Sequence, residues 1–189
     1  FYWFGGANGL IRFTDPAGER HDAIWYRMGD KTYPLSHNRI RHIYEDKEQQ
    51  LWIATDGSIN RYDYATRQFI HYNIVDNTGT YNTNWTYYIF EDTAGQLWIS
   101  TCLGGIFVVD KRKLMQSTSG QYIAEQNYSV HNGLSGMFIN QIIPDNEGNV
   151  WVLLYNNKGI DKINPRTREV TKLFADELTG EKSPNYLLC

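Results

Sequence analysis

The sequence predicts an all-β fold, about four blades of a propeller, each a four-stranded antiparallel sheet. Three observations predict it. The first is composition: aromatic residues make up 15% of 189 positions, with 14 Tyr, 6 Trp, 8 Phe and 16 Gly, a balance that favours pleated strands and tight turns over helices. The second is an internal repeat, in which residues 40–46 and 51–55 match 86–92 and 97–101, and again 139–145 and 150–152. The third is spacing. Asp precedes Trp by six positions in every copy, at Asp46/Trp52, Asp92/Trp98 and Asp145/Trp151. With Trp3 of a left-truncated copy, the repeat tryptophans Trp3, Trp52, Trp98 and Trp151 lie 49, 46 and 53 residues apart, the period of propeller blades rather than of helical or leucine-rich repeats.

Each copy reads strand by strand. An apolar inner strand ends in Asp, and three residues later stand Gln49, Gly95 and Gly148, a tight-turn signal in two of the three copies. The Trp strand follows and ends at Gly5-Gly6, Asp56-Gly57, Gly104-Gly105 or Lys158-Gly159. A third strand occupies 10–13, 59–62, 106–109 and 160–163, closing at Asp63, Asp110 or Asn164 in the full copies. In two copies a Thr-Arg turn, Thr66-Arg67 and Thr167-Arg168, leads into a fourth strand at 68–72 and 169–173. The blades are therefore 1–35, partial because it lacks its inner strand, then 36–80, 81–133 and 134–178, with 179–189 opening the next blade or forming a tail. The chain begins in mid-repeat and reads as a piece of a longer protein. A blade packs a neighbour on both faces, so its middle strands need large side chains on both sides. One Trp at a fixed place, burying about 150–250 Å², can join each blade to the next.

Several functional classes recede. Lys plus Arg number 18 against 21 Asp plus Glu, for a net charge of −3, so no basic field favours a nucleic acid. Mean hydropathy is −0.53 and the longest apolar run, residues 151–155, falls far short of the ~20 residues of a membrane-spanning helix. Cys102 and Cys189 form no CxxC, and His21, His37, His42, His71 and His131 show no ligand spacing, so neither metal nor cofactor is expected. His42 reads as a packed or channel-lining group on an inner strand, and His37, in a loop, as the better contact. Glu45-Asp46 and Glu91-Asp92 suggest a glycosidase pair. They occupy one repeat position, however, and a reaction centre is built once whereas a turn cap is needed in every blade. The Gly-Gly pairs lead into strands and offer no helix N-terminus to a phosphate.

At the level of motif, Asp92-Thr-Ala-Gly-Gln-Leu-Trp-Ile-Ser-Thr101 and Asn60-Arg-Tyr-Asp-Tyr-Ala-Thr-Arg-Gln-Phe69 resemble the two-component regulator propeller repeat. The resemblance covers about residues 1–175; the last copy departs most, with Pro144 in place of Glu and Leu153-Leu154 in place of the small-residue-Thr ending. It implies blades of a seven-bladed propeller in the periplasmic sensor region of a hybrid two-component system of Bacteroidetes, anchored in the inner membrane and followed by a histidine kinase. It further implies an oligosaccharide ligand, a signal to polysaccharide-utilisation genes, a homodimer of the full-length sensor, and no catalysis by this segment. Partners are then the remaining blades and the glycan, with no nucleic acid and no membrane contact by the segment itself. Propeller enzymes of the lyase or lactonase type and protein-interaction propellers are the alternatives.

Irregularity among regular units points to the ligand site. In an alternating blade, the loop between second and third strands and the connection to the next blade share one end, at the mouth of the central channel. The segments leading into the inner strands there differ most: 35–39, 82–85 and 134–138. Tyr81, Trp85 and Phe138 could stack on sugar rings while Asn38, Arg39 and Asn84 bond hydroxyls, a few polar groups on an apolar floor, with His37 a further loop contact. The simpler reading is that these aromatics cover the blade edge.

Overall fold

The structure, a computed structural model, describes residues 1–14, 23–32, 34–117, 121–155 and 159–173; His21, Cys189 and the segment 179–189 lie outside the described residues. Four antiparallel sheets follow one another along the chain. The first holds β1 (Tyr2–Gly6), β2 (Gly9–Phe13) and β3 (Ile24–Tyr26). The second holds β4 (Ile40–Glu45), β5 (Leu51–Thr55), β6 (Ser58–Asp63) and β7 (Gln68–Tyr72) in sequence order. After β8 (Ile74–Val75), the third holds β9 (Thr86–Glu91), β10 (Gln96–Thr101) and β11 (Ile106–Asp110). Helix α1 (Lys111–Gln116) and β12 (Tyr122–Ile123) intervene before its outer strand, β13 (Gln126–Tyr128). The fourth holds β14 (Ile139–Pro144), β15 (Val150–Leu154), β16 (Ile160–Ile163) and β17 (Val170–Leu173). These sheets are propeller blades, the predicted all-β class.

The six-residue Asp-to-Trp spacing has a geometric cause. Asp46 Oδ1 accepts the backbone N–H of Glu48 and Gln50, while its Oδ2 accepts the Trp52 indole N–H at 2.9 Å. Asp92 does the same for Ala94, Gln96 and Trp98, and Asp145 for Glu147, Asn149 and Trp151, each indole bond again 2.9 Å. One carboxylate thus closes the turn and fixes the rotamer of the Trp. The residue three past each Asp is left-handed, with φ 61° at Gln49, 79° at Gly95 and 85° at Gly148, a conformation in which glycine carries no Cβ penalty.

Alternation along each middle strand divides the core. Leu51 and Ile53 face the first sheet with Leu10, Tyr26 and Tyr62, whereas Trp52 and Ala54 face the third with Ile89, Leu97, Ile99 and Phe107. Trp98 in turn faces the fourth sheet, with Ile142, Val150 and Val152. Each of these tryptophans therefore joins its blade to the following one, as period-2 side-chain alternation requires.

The third blade departs from the pattern. It has no Thr-Arg turn, and Asp110, which closes β11, instead caps α1 by accepting from Arg112 N and Lys113 N. Leu114 of α1 enters the core between blades two and three, and β12 pairs in parallel with β8 of the preceding connection. The repeat pattern contains no sign of this helical insertion, because it replaces the repeat there.

Candidate functional site

At one end of the blades, the segments leading into the inner strands meet the ends of the Trp strands. Trp85 N–H donates to Asp56 O of the preceding blade (3.1 Å), and Trp85 O accepts from Cys102 N (2.9 Å). The fourth blade repeats the second contact, Tyr155 N to Phe138 O at 2.9 Å. In the second blade Ser36 Oγ and Thr55 Oγ1 lie 2.9 Å apart in a hydrogen bond.

Held by those two backbone bonds, Trp85 has φ 55°. Such a left-handed conformation is uncommon for a residue with a large side chain and costs on the order of 1–3 kcal/mol. Its indole is 47% exposed and lines a cavity of about 380 Å³ together with Tyr81, Asn82, Asn84, Leu103 and Asp56. That volume lies within the roughly 300–1,000 Å³ of small-molecule sites. Asp56 is held in place: Arg41 grips both of its oxygens, Nε to Oδ1 at 2.6 Å and Nη2 to Oδ2 at 3.3 Å, while Arg39 Nε approaches Oδ2 to 3.7 Å. The Arg41 guanidinium also lies 4.6 Å from the Tyr87 ring centroid. The Asp56 charge is thereby balanced before any ligand arrives.

Of the residues singled out from sequence, Tyr81, Asn84 and Trp85 line this one cavity. Arg39 reaches its wall through Asp56. His37 accepts the Arg39 backbone N–H at Nδ1, and the Asn38 side-chain carbonyl accepts Met28 N–H of the preceding blade (2.7 Å), so both shape the segment and neither lines the cavity. Phe138 is 42% exposed at the position equivalent to Trp85 one blade on, outside the cavity lining. Asp56 and Leu103 join the site without having been singled out. Asp56 stands where the next two copies carry Cys102 and Tyr155, a position at which the three copies share no residue, so the repeat does not mark it.

The arrangement offers hydrogen-bond donors beside an apolar floor. Among the described residues the Trp85 indole N–H and the Asn84 side-chain amide have no hydrogen-bond partner in the protein, and both border an apolar floor of Trp85, Tyr81 and Leu103. The repeated acids are engaged elsewhere: Asp46 and Asp92 cap turns, and Glu91 pairs with the Lys111 ammonium at 2.8 Å. His42 is stacked on Tyr88, ring centroids 3.9 Å apart, and accepts Ile89 N–H at Nδ1. Cys102 is buried, which pushes its thiol up in pKa, away from the reactive thiolate. No group of three or more His, Cys, Asp or Glu able to hold a metal ion occurs among the described residues.

Comparison with known proteins adds the following. A family model described as two component regulator propeller matches residues 34–57 and 133–156. Two solved structures of one extracellular domain from B. thetaiotaomicron match the whole chain at 99% identity and a TM-score of 0.96. That protein is provisionally described as a one-component system in one and as a hybrid two-component system in the other. The chain spans only 26% and 25% of those domains, about a quarter of their length. The extracellular domain of a second provisional hybrid two-component system from B. thetaiotaomicron matches 90% of the chain, which spans 23% of it, at 19% identity and TM-score 0.71. Virginiamycin B lyase from Staphylococcus aureus matches 90% of the chain, which spans 50% of it, at 16% identity and TM-score 0.59. The last two likenesses concern the fold alone. No curated protein matches the chain. No helix among the described residues is long and apolar enough to cross a membrane.

Proposed function

We propose that this chain, a run of two-component regulator propeller repeats within the extracellular domain of a sensor, reads a small neutral ligand in the Trp85 cavity without transforming it. The chemistry of the cavity supports an oligosaccharide as that ligand. An exposed indole offers its face to the C–H side of a sugar ring, while the Trp85 N–H and the Asn84 amide offer bonds to hydroxyls. The single observation that carries the reading is the strained Trp85 backbone, clamped by hydrogen bonds on both sides so that a large aromatic faces solvent. Strain of that kind concentrates at functional sites. Because the clamp joins Asp56 of one blade to Cys102 of the next, a ligand here bridges two blades. In a dimeric full-length sensor its occupancy would be passed to a kinase and on to genes for polysaccharide use.

Calorimetric titration of the intact extracellular domain against a panel of neutral and sulfated oligosaccharides tests this. Trp85→Ala should weaken binding by about tenfold or more, ~1.4 kcal/mol, and leave the thermal melt unchanged. Asp92→Ala, at a structural turn, should lower stability and leave the affinity of the folded fraction intact. Neutral glycans should be preferred, since Arg41 and Arg39 are already turned toward Asp56. Unaltered affinity in the Trp85 variant would sink the reading.

A further inference from the structure

A second cavity, of about 510 Å³, adjoins the Trp85 cavity, and Thr80 and Tyr81 line both. The loop that carries these two residues is held from within. Asp76 N–H donates to Tyr81 O (3.0 Å) and Gly79 N–H to Asp76 O (3.1 Å), while one Asp76 carboxylate oxygen accepts Tyr81 N–H (2.8 Å) and the other accepts the Thr78 hydroxyl. Thr80 is exposed and Tyr81 half-buried, so the crest of this shared wall lies at the surface. Strand β13 and the turn after it form the remainder of the second cavity. From that turn His131 Nε2 comes within 3.3 Å of the Tyr81 hydroxyl.

The two cavities differ in chemistry. The first has an apolar floor; the lining of the second is polar apart from Tyr81 and Ala124, and no lysine or arginine contributes to it. Its two carboxylates, Asp76 and Glu125, disfavour an anion and are themselves engaged. Glu125 accepts the Tyr122 hydroxyl and Asp110 N–H, each at 2.8 Å, and lies 3.5 Å from the Lys113 ammonium. Among the described residues the Asn77 side-chain amide and His131 Nδ1 have no hydrogen-bond partner in the protein. Such a surface reads hydroxyls by hydrogen bonding, beside a surface that reads a ring by stacking. We infer that the two cavities are one extended site, in which the Trp85 cavity holds one sugar unit by its face and the second cavity holds the next, linked unit through Asn77 and His131. The inference rests on the oligosaccharide reading of the Trp85 cavity and adds to it the length and direction of the ligand: at least two neutral units, running over Thr80 and Tyr81 towards the outer strand of blade three.

Calorimetric titration of the intact extracellular domain with mono-, di- and trisaccharides of glucose, galactose, mannose and xylose tests it. In at least one series affinity should rise about tenfold from one unit to three, as two added neutral hydrogen bonds would give. Replacing the exposed Asn77 and His131 together by Ala should remove that gain while leaving the single unit's affinity and the thermal melt unchanged. Trp85→Ala should weaken every length. If single units bind through Trp85 but lengthening adds nothing, or if the gain survives the double substitution, the extended site is overturned and the Trp85 reading stands. A gain lost in Phe138→Ala instead would place the second unit towards blade four and overturn it equally. A glucosamine dimer that binds more tightly than every neutral dimer would assign the second cavity to a cation and overturn the neutral class. Binding by no sugar, or binding indifferent to Trp85→Ala, would remove both readings.

Discussion

His42 shows how a single position combines packing with titration. On an inner strand, its ring stacks on Tyr88 and its Nδ1 accepts a backbone N–H, so it is folded in the neutral form. Burial lowers its pKa to about 4, against about 6.5 in an unfolded chain. The sign follows: with the folded pKa below the unfolded one, the unfolded state binds more protons between those values, so stability falls as pH drops from about 6.5 towards 4. Urea midpoints measured across that window should decline, and the His42→Gln variant should remove part of the slope. A slope identical in the variant would mean that His42 does not titrate on unfolding. At the turn caps the same kind of reasoning runs through carboxylates. Burial pushes Asp145 up, but bonds from Asn149, the Trp151 indole and the Asn149 and Glu147 backbone outweigh it and bring its pKa to about 2. Its contribution is thus complete above about pH 4 and disappears only as pH falls towards 2.

Among the elements, α1 and β12 distinguish the third blade from its neighbours. Lys111, the first residue of α1, is 1% exposed. Its ammonium lies 3.0 Å from Asp46 and 2.8 Å from Glu91, with Glu48 at 3.4 Å. One cation thereby joins a turn cap of blade two to the inner strand of blade three. Removing one partner of a buried ion pair leaves the others uncompensated and typically costs about 3–5 kcal/mol. Lys111→Met should therefore destabilise the domain by roughly that amount, although Met fills much of the same volume. Chemical denaturation would measure it; a loss below about 1 kcal/mol would show that the carboxylates are satisfied without the lysine. Ala substitution of exposed Arg112, next along the helix, provides the control and should be near neutral.

For the whole molecule, the first sheet presents an apolar face. Phe4, Ile11 and Trp25 lie in register across β1, β2 and β3, and Phe4 and Trp25 are 54% and 47% exposed. Trp3 and Arg12 on the other face pack against Tyr62 of the second blade. The extracellular domain that matches this chain at 99% identity is about four times as long, which is chain enough for a further blade to cover the equivalent face there. Alone, the 189-residue chain should associate through it, since contiguous exposed apolar patches and free strand edges promote pairing. Light scattering should show concentration-dependent oligomers that Phe4→Lys together with Trp25→Lys reduces. A monomer at all concentrations would contradict the expectation.

The repeat determined what could be read without coordinates. A six-residue Asp-to-Trp spacing, Gly or a turn residue three places past Asp, and a Trp strand apolar on both faces are local constraints, each satisfied within a few residues of chain. They specify strands, turns and one large apolar side chain per blade, while the neighbour that each tryptophan faces came from the structure. Only the tertiary structure decided which lead-in residues meet. Tyr81, Asn84 and Trp85 share a cavity with Asp56, while His37 and Asn38 turn to backbone partners, because contacts between blades depend on side-chain direction across a junction that no single repeat contains. The same holds for Lys111, whose partners lie 65 and 20 positions away in sequence at Asp46 and Glu91. Its buried charge is stable only because two other elements bring carboxylates to it, and pairing of that kind leaves no periodic trace in the chain.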